Sequence, residues 1–399
     1  MSSADVESCE VPLGVGLPAE LAEDFLAKLH YVSESAEGFE LIGDGGPARV
    51  RFRLRPGREQ ERALVAGRIV AVAEKMSRAA RFYEPKVLVR KERATSFAAD
   101  PHPLLEERGE LFGFGRGRYG LGPRLLALLE FFDRQLLSDA VLTGAAPHQF
   151  PSLVGADVLE RCGYLRSFPH SLCFVSHLRE DLAAIQGFAR DARREEGGLV
   201  LDPEALSRVE CLLSSTVCFH CYAWLEGRRL ARPQSFTARG KCFRYESGNM
   251  RGLERLWDFT MRELIFVGPE EHVLAERERA VGRAAELLDA WGLSYEIKSA
   301  ADPFFIDEYS ASAFQMAFDL KYEVRASLPY KGKTLAVGSF NFHRDHFGSA
   351  FGIGCGGGGP ANTACVGFGL ERLALAFLAQ HGLDAKDWPA PVAEGVAGW

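Results

Sequence analysis

The chain has 399 residues, 47 basic against 54 acidic for a net charge of −7, with 47% apolar and 25% charged residues. These are globular values; they exclude a disordered, collagen-like or disulfide-scaffold chain, and the length suits one large domain with a small one. The nine cysteines follow no framework spacing, Met1-Ser2-Ser3-Ala4-Asp5-Val6-Glu7 has no basic and apolar leader, and no stretch reaches the ~18 apolar residues of a membrane helix. The expectation is a cytoplasmic protein with reduced thiols and no membrane contact, in which clustered cysteines are metal or reactivity candidates before disulfides.

In chain order, Val50 to Arg55 alternates strictly and predicts a strand with arginines outward; Pro56-Gly57 ends it. Leu64, Val65, Ile69, Val72 and Met76 recur at helical spacing, and Lys86 to Arg90 is a further strand candidate. Residues 1–98 are therefore expected to form a small α+β domain, and 99–399 the main one. From Arg49 to Arg93 there are 14 basic and 5 acidic residues, a net of +9 that leaves −16 for the remainder. This segment is either a basic face for RNA or an acidic protein, or a solvated helix and sheet face. The second is preferred, because no aromatic residues are interleaved as a stacking platform.

Ala94 to Gly122 is rich in Pro, Gly and charge and reads as a linker. Leu125 to Leu137 reads as an amphipathic helix, His148-Gln149-Phe150-Pro151 as extended chain, Asp157 to Cys162 as a short helix stopped by Gly163, and Leu178 to Glu196 as a polar helix. Strands are then expected over 214–225, 235–246, 255–267, 293–298, 318–328 and 334–342. A long helix from Glu270 to Trp291 with Gly292 at its end, and a last helix from Gly369 to Gln380, complete the pattern. Strands joined largely by hairpins, with helices gathered at a few places, describe an α+β fold on an antiparallel sheet. The run Gly354 to Gly359 has no phosphate-loop spacing and reads as a tight turn.

The densest polar segment runs from Gly240 to Glu263, strand, glycine-bearing loop, strand, with Arg244 and Arg255 near the two ends of the loop. Arginine gives permanent, bidentate contacts to phosphate. Phe259, four residues after Arg255, is expected on the same strand face, where it could stack on a base. In a second segment, Cys365 to Arg372, a glycine-bearing strand end opens an apolar helix with Arg372 in its first turn. A cation is unfavourable there unless an anion lies beside it.

Phe-Arg-x-Glu, then Gly-Leu-x-Arg and a Phe-bearing strand, then Gly-x-Gly-x-x-Arg before a C-terminal apolar helix, resembles the paired motifs 2 and 3 of class II aminoacyl-tRNA synthetases. Gly252 to Phe259, Asp319-Leu320 and Ser339-Phe340-Asn341 look most like the seryl-type enzymes. The resemblance implies ATP bound bent, with Arg244 on the α-phosphate, Glu246 near the adenine, Phe259 stacked on it, Arg372 on the γ-phosphate, and Arg255 and Leu256 within the same ATP site. The helix at 125–137 and the extended 148–154 would form the motif 1 homodimer element. No long N-terminal helical hairpin precedes the motifs, and only about 27 residues follow Arg372.

From about Glu106 onward the chain resembles more closely the amino acid:carrier-protein ligases, truncated seryl-like enzymes. The matching stretches are His148 to Pro151, Cys162 to Pro169, Arg255 to Glu263 and Ala364 to Arg372. That resemblance implies ATP-dependent activation of glycine or alanine and transfer to the phosphopantetheine thiol of a carrier protein, without tRNA and without a protein nucleophile. It also implies Zn²⁺ on Cys218, Glu263 and Cys365, beside an amino-acid pocket with Ser339 and Asn341. Three protein ligands leave one position open, as in catalytic zinc sites. A Cys218/Cys221 metal knuckle is the competing reading, set aside because i and i+3 point to opposite faces of a strand. Mg²⁺ is expected with ATP, but where seryl-type enzymes carry a carboxylate this chain has Ala336-Val337-Gly338. Asp302 to Met316 is a candidate carrier-docking helix or an ordinary covering one. Two other readings stay open: seryl-like tRNA aminoacylation using the basic N-terminal unit, and a catalytically silent paralogue acting as a binding or regulatory protein.

Overall fold

Strict alternation makes Arg49–Leu54 a strand whose Val50, Phe52 and Leu54 are buried while the arginines face water. In the computed structural model, which describes residues 8–18, 21–43, 48–80, 85–95, 97–195, 198–302, 315, 319–356 and 358–397, three strands open the chain. They are β1 (Ser8–Pro12), β2 (Ala36–Ile42) and β3 (Arg49–Leu54), in the antiparallel order β1-β3-β2. Helices α1 (Ala22–Leu29) and α2 (Arg62–Ala80) complete the unit, burying Phe25, Leu29, Val65, Ile69 and Met76 against it.

The outward arginines of β3 are not a free basic face. Arg51 meets Glu10 and Glu40, Arg49 meets Glu10 and Arg55 meets Glu37, all supplied by the flanking strands. The 48 residues before Arg49 hold ten acidic residues and one basic one, so residues 1–93 are neutral as a whole. The +9 counted from Arg49 onward is balanced by the −9 of the 48 residues that precede it.

The strand read over Lys86 to Arg90 forms as β4 (Val87–Lys91), but it does not join the N-terminal sheet. It is the edge of an eight-stranded sheet with β5 (Ala146–His148), β6 (Gln234–Phe243), β7 (Asp258–Gly268), β8 (Tyr295–Ser299), β9 (Lys321–Leu328), β10 (Lys333–Arg344) and β11 (Asn362–Gly369). The order is β4-β8-β9-β10-β11-β7-β6-β5, antiparallel throughout except for the β6–β5 pair. The expected linker at 94–122 instead contains a helix, Pro101–Glu107, begun by the Asp100 side chain accepting from the His102 N–H, and a hairpin of Leu111–Gly113 with Tyr119–Leu121.

One face of the large sheet carries Phe266, Val366, Phe368, Phe340 and Val324. It is covered by α3 (Pro123–Leu142), α5 (Glu270–Ala290) and α6 (Leu370–His381), which together hold the main core. α5 ends as read, with Gly292 left-handed at φ +69° just past it. A second core forms around α4 (Cys218–Trp224), with Leu159, Phe219, Tyr222, Phe236, Ile265 and Phe347. No described helix is long and apolar enough to cross a membrane. The proposed docking segment 302–316 lies outside the described residues apart from Asp302 and Gln315.

Candidate active site

In an antiparallel ladder, directly paired residues share a face. Register therefore places Glu263, Gly367, Ser339 and Glu323 in one row and Cys365, Asn341 and Lys321 in the next, all on the face opposite the main core. Gly367 sits beneath two of these side chains: a Cβ would lie 2.8 Å from the Met261 methyl, which would have to move aside, and 3.5 Å from Glu263 Cγ.

Segment 214–225, expected as a strand, is a turn followed by helix α4. The ground for setting aside a Cys218/Cys221 pair therefore falls, since i and i+3 share a helix face. Cys221 nonetheless stays out of the cluster. The donor atoms of Cys218, Glu263 and Cys365 lie within 4.8 Å of one another, all three buried, and no other such group gathers among the described residues. Glu263 Oε1 accepts from Thr216 Oγ1 at 2.5 Å and from the Val217 N–H at 3.2 Å, where α4 begins. Its Oε2 is buried and has no hydrogen-bond partner.

Burial, then the neighbouring Cys365 sulfur, pushes the Glu263 carboxyl up to about 7, against the pull of Thr216 and Val217. Cys365 is held well below the thiol range, first by the hydrogen bond from Cys218 and then by His343 and Asn341, while Cys218 is raised. Asn341 Nδ2 donates to Ser339 Oγ at 3.1 Å and to the Cys365 sulfur at 3.6 Å, and His343 Nε2 lies 3.6 Å from that sulfur. Two buried cysteine sulfurs, that of Cys365 held toward the thiolate, and the Glu263 carboxyl with one oxygen lacking a hydrogen-bond partner suit a borderline-soft cation such as Zn²⁺, whose binding would displace the remaining protons. His343 was not foreseen, although it continues the alternation of Ser339 and Asn341 along β10.

The arginines converge beside this cluster. Arg244, just past β6, donates Nε–H to the Ser215 carbonyl at 3.1 Å and lies 5.3 Å over the Phe259 ring. Arg372 donates to the carbonyls of Glu254 (2.7 Å) and Ala336 (3.2 Å). Among the described residues neither guanidinium has a carboxylate within ion-pair distance. Burial, then Arg255 and Arg244, pushes Arg372 down to about 10. Arg244 and Arg372 both sense the charge of Glu246, which accepts from Arg255 Nη1 at 3.0 Å. Arg372 is fixed by its neighbour Glu371, whose oxygens accept from the Thr260 N–H and hydroxyl at 2.8–2.9 Å and pin the start of α6 to β7.

Two expectations change here. Strand β7 begins at Asp258, so Arg255 lies in the preceding turn and alternation does not tie it to Phe259; Arg244 is the arginine beside that ring. The Leu256 side chain is buried in the main core, leaving only its backbone for a ligand. The other carboxylates near the cleft are engaged: Glu323 with Lys321 and Arg325, Asp302 with Lys321 and Gln315. No preformed carboxylate cage for Mg²⁺ gathers among the described residues.

Residues 210–381 match the family described as tRNA synthetase class II core domain (G, H, P, S and T). An amino acid–[acyl-carrier-protein] ligase 2 of Bradyrhizobium diazoefficiens is 39% identical over 248 residues, 61% of this chain and 72% of that protein. Ligase 1 of the same organism is 35% identical over 258 residues, 62% of this chain and 76% of that one. The chain belongs to the amino acid–[acyl-carrier-protein] ligase family. It is an enzyme of the ligase class on a class II synthetase fold. A type-2 serine–tRNA ligase of Methanococcus aeolicus is a more distant relative of this family member, 28% identical over 76% of this chain and 60% of that protein. The solved structure of Methanopyrus kandleri seryl-tRNA synthetase, in complex with Aquifex aeolicus tRNASec, superposes with a TM-score of 0.71 at 23% identity. It covers 98% of this chain and 77% of its own, and shows the shared fold.

Proposed function

We propose that the protein activates a small amino acid, glycine or alanine, with ATP and passes it to the phosphopantetheine thiol of an acyl-carrier protein. The observation that carries this reading is a pair of half-buried arginines, Arg244 and Arg372, with no carboxylate within ion-pair distance among the described residues, beside a Cys-Glu-Cys cluster. A polyphosphate supplies the missing anion, and the cluster supplies a place for an amine.

The amino-acid carboxylate attacks the α-phosphorus in line; the new O–P bond forms as the bond to the β-phosphate oxygen breaks, releasing pyrophosphate. Arg244 neutralises the charge that builds on the α-phosphate, Arg372 holds the far end of the triphosphate, and Phe259 offers a face to the adenine with Glu246 beside it. Arg255 holds Glu246 in place. Cys218, Glu263 and Cys365 would hold Zn²⁺, which when bound supplies an open position for a deprotonated α-amine and so selects amino acids among carboxylates. Mg²⁺ bound with ATP would supply further neutralisation of phosphate charge, and the described carboxylates offer it no preformed cage. In the second step the carrier thiol attacks the activated carbonyl, loses its proton and expels AMP; no protein nucleophile takes part. The Met261 methyl and Glu263 over Gly367 support a pocket for a small side chain.

The test is amino-acid-dependent ATP–pyrophosphate exchange over all twenty amino acids, with metal analysis of the same preparation. Exchange confined to glycine or alanine, one zinc per chain, and labelling of holo carrier protein but not tRNA are expected. Absence of exchange with every amino acid overturns the reading.

A further inference from the structure

We infer that the N-terminal unit is part of the nucleotide site, and that Tyr31 is a positioning residue that fixes the peptide between Arg244 and Glu246. This rests on the ATP reading above. Nothing in the catalytic motifs assigns the unit a role, and its self-paired arginines leave little for an acidic partner.

The residue between the two nucleotide-facing side chains is Tyr245, and its backbone is held from both sides. Its N–H donates to the Ser171 carbonyl at 3.1 Å, and its carbonyl accepts from the Tyr31 hydroxyl at 3.1 Å, from the end of α1. Its ring packs edge-on against Trp257 at 5.1 Å, and the Trp257 carbonyl accepts from the Arg244 N–H at 3.0 Å. With all these contacts made, the backbone on which Arg244 and Glu246 stand cannot shift without breaking a hydrogen bond to the N-terminal unit.

The contact extends along the loop. Asn249 Nδ2 donates to the Ala27 carbonyl at 2.9 Å. The His30 ring lies so close over Gly248 that a Cβ there would be 2.2 Å from Nδ1, so the loop has glycine where α1 presses on it. Tyr31 itself stands edge-on to His170 at 4.9 Å. At the other end of α1, Glu23 lies 3.8 Å from Arg325, which also holds Glu323 at 3.2 Å. One eight-residue helix is thus tied at both ends to the cleft that carries the arginines.

A positioning role predicts a selective defect. Tyr31→Phe keeps the ring and removes the donor; one hydrogen bond of about 1 kcal/mol corresponds to a roughly three- to tenfold rise in KM for ATP in the exchange assay. KM for the amino acid and zinc content stay as in the wild type, and the melting temperature falls by no more than the few degrees that one hydrogen bond accounts for. Asn249→Ala, on the opposite side of the same contact, raises KM for ATP in the same direction and serves if Tyr31→Phe melts early. Unchanged KM for ATP in both variants, or equal rises in the two KM values, overturns the inference while leaving the ligase reading intact. Absence of exchange in the wild type overturns the ligase reading and this inference with it.

Discussion

Arg372 is a cation placed where burial and two neighbouring cations oppose it, and among the described residues its hydrogen bonds go to the neutral carbonyls of Glu254 and Ala336. Such a group is stabilised when an anion arrives, so Arg372→Ala is expected to lower exchange by at least about 10²-fold, the scale of losing one charged transition-state contact, with bound zinc retained. The Cys-Glu-Cys cluster allows a sharper contrast between two buried thiols. Cys365→Ala loses both the metal and exchange, whereas Cys221→Ala, one turn from Cys218 but outside the cluster, keeps both; metal analysis of the two proteins decides it. His170 gives a pH signature. Burial first, then Lys28, against the opposing pull of Glu246, pushes it down to about 4 from 6.5. The native state therefore resists protonation that the unfolded chain accepts, and stability present above pH 6.5 is lost as pH falls toward 4. The imidazole is partly wetted, so the loss is of order 1 kcal/mol; in His170→Phe the fall in melting temperature between pH 7 and pH 5 becomes smaller. At this scale motifs in the sequence mark Arg244, Glu263 and Arg372, and the fold brings them to one region. Tyr31 was not legible in the sequence, because a hydroxyl meeting a carbonyl 214 positions away leaves no local pattern.

Elements with one strong period were read correctly: β3 by its alternation, α5 by its length and its terminal glycine. The segment after Ser214 was not. Val217-Cys218-Phe219-His220-Cys221-Tyr222 is rich in β-branched and aromatic side chains, which favour strands. Tertiary packing overrides that preference: the short helix buries Cys218, Phe219, Cys221 and Tyr222 at once, and the Glu263 carboxylate accepts from the N–H of Val217 at its start. The same strand, β7, is held from its other face. Arg262 makes two 2.8 Å hydrogen bonds to Asp133 of α3, both side chains being less than one-tenth exposed, and Arg239 adds Glu130 at 2.7 Å. Removing one partner of a buried pair leaves the other charge stranded, which costs about 3–5 kcal/mol. Asp133→Ala is therefore expected to lose about that much in denaturant unfolding. Glu130→Ala, on the wetter side of the network, loses under about 1 kcal/mol. Equal losses would mean that the network, and not the Asp133–Arg262 pair, locks α3 to the strand that carries Glu263.

Charge and connectivity could be judged only for the whole molecule. A count started at Arg49 makes a basic patch; in the fold Glu10, Glu37 and Glu40 of the flanking strands lie against Arg49, Arg51 and Arg55. β4 was assigned to the N-terminal unit because it follows it in sequence, yet Lys91 pairs with Tyr295 across some two hundred residues, and no local signal records such a partner. The opposite edge of the same sheet raises the question of assembly. β5 is three residues long, and beside it Leu142 is 78% exposed, Leu153 46% and Trp224 41%, with the Trp224 ring 5.0 Å from that of His148. Apolar side chains gathered at a sheet edge favour self-association over water. The helix at 125–137 and the extended 148–154, which starts at the end of this edge strand, are the segments that the class II resemblance implies for a homodimer. A second copy of the chain is the expected cover, related by two-fold symmetry so that the same patch serves both partners. Sedimentation is expected to give a dimer of about 88 kDa, twice the 43.9 kDa chain. Leu142→Glu, doubled in an isologous contact because each substitution occurs twice, shifts it to monomer. A wild-type monomer at micromolar concentration would leave this edge to some other partner and remove the dimer from the account.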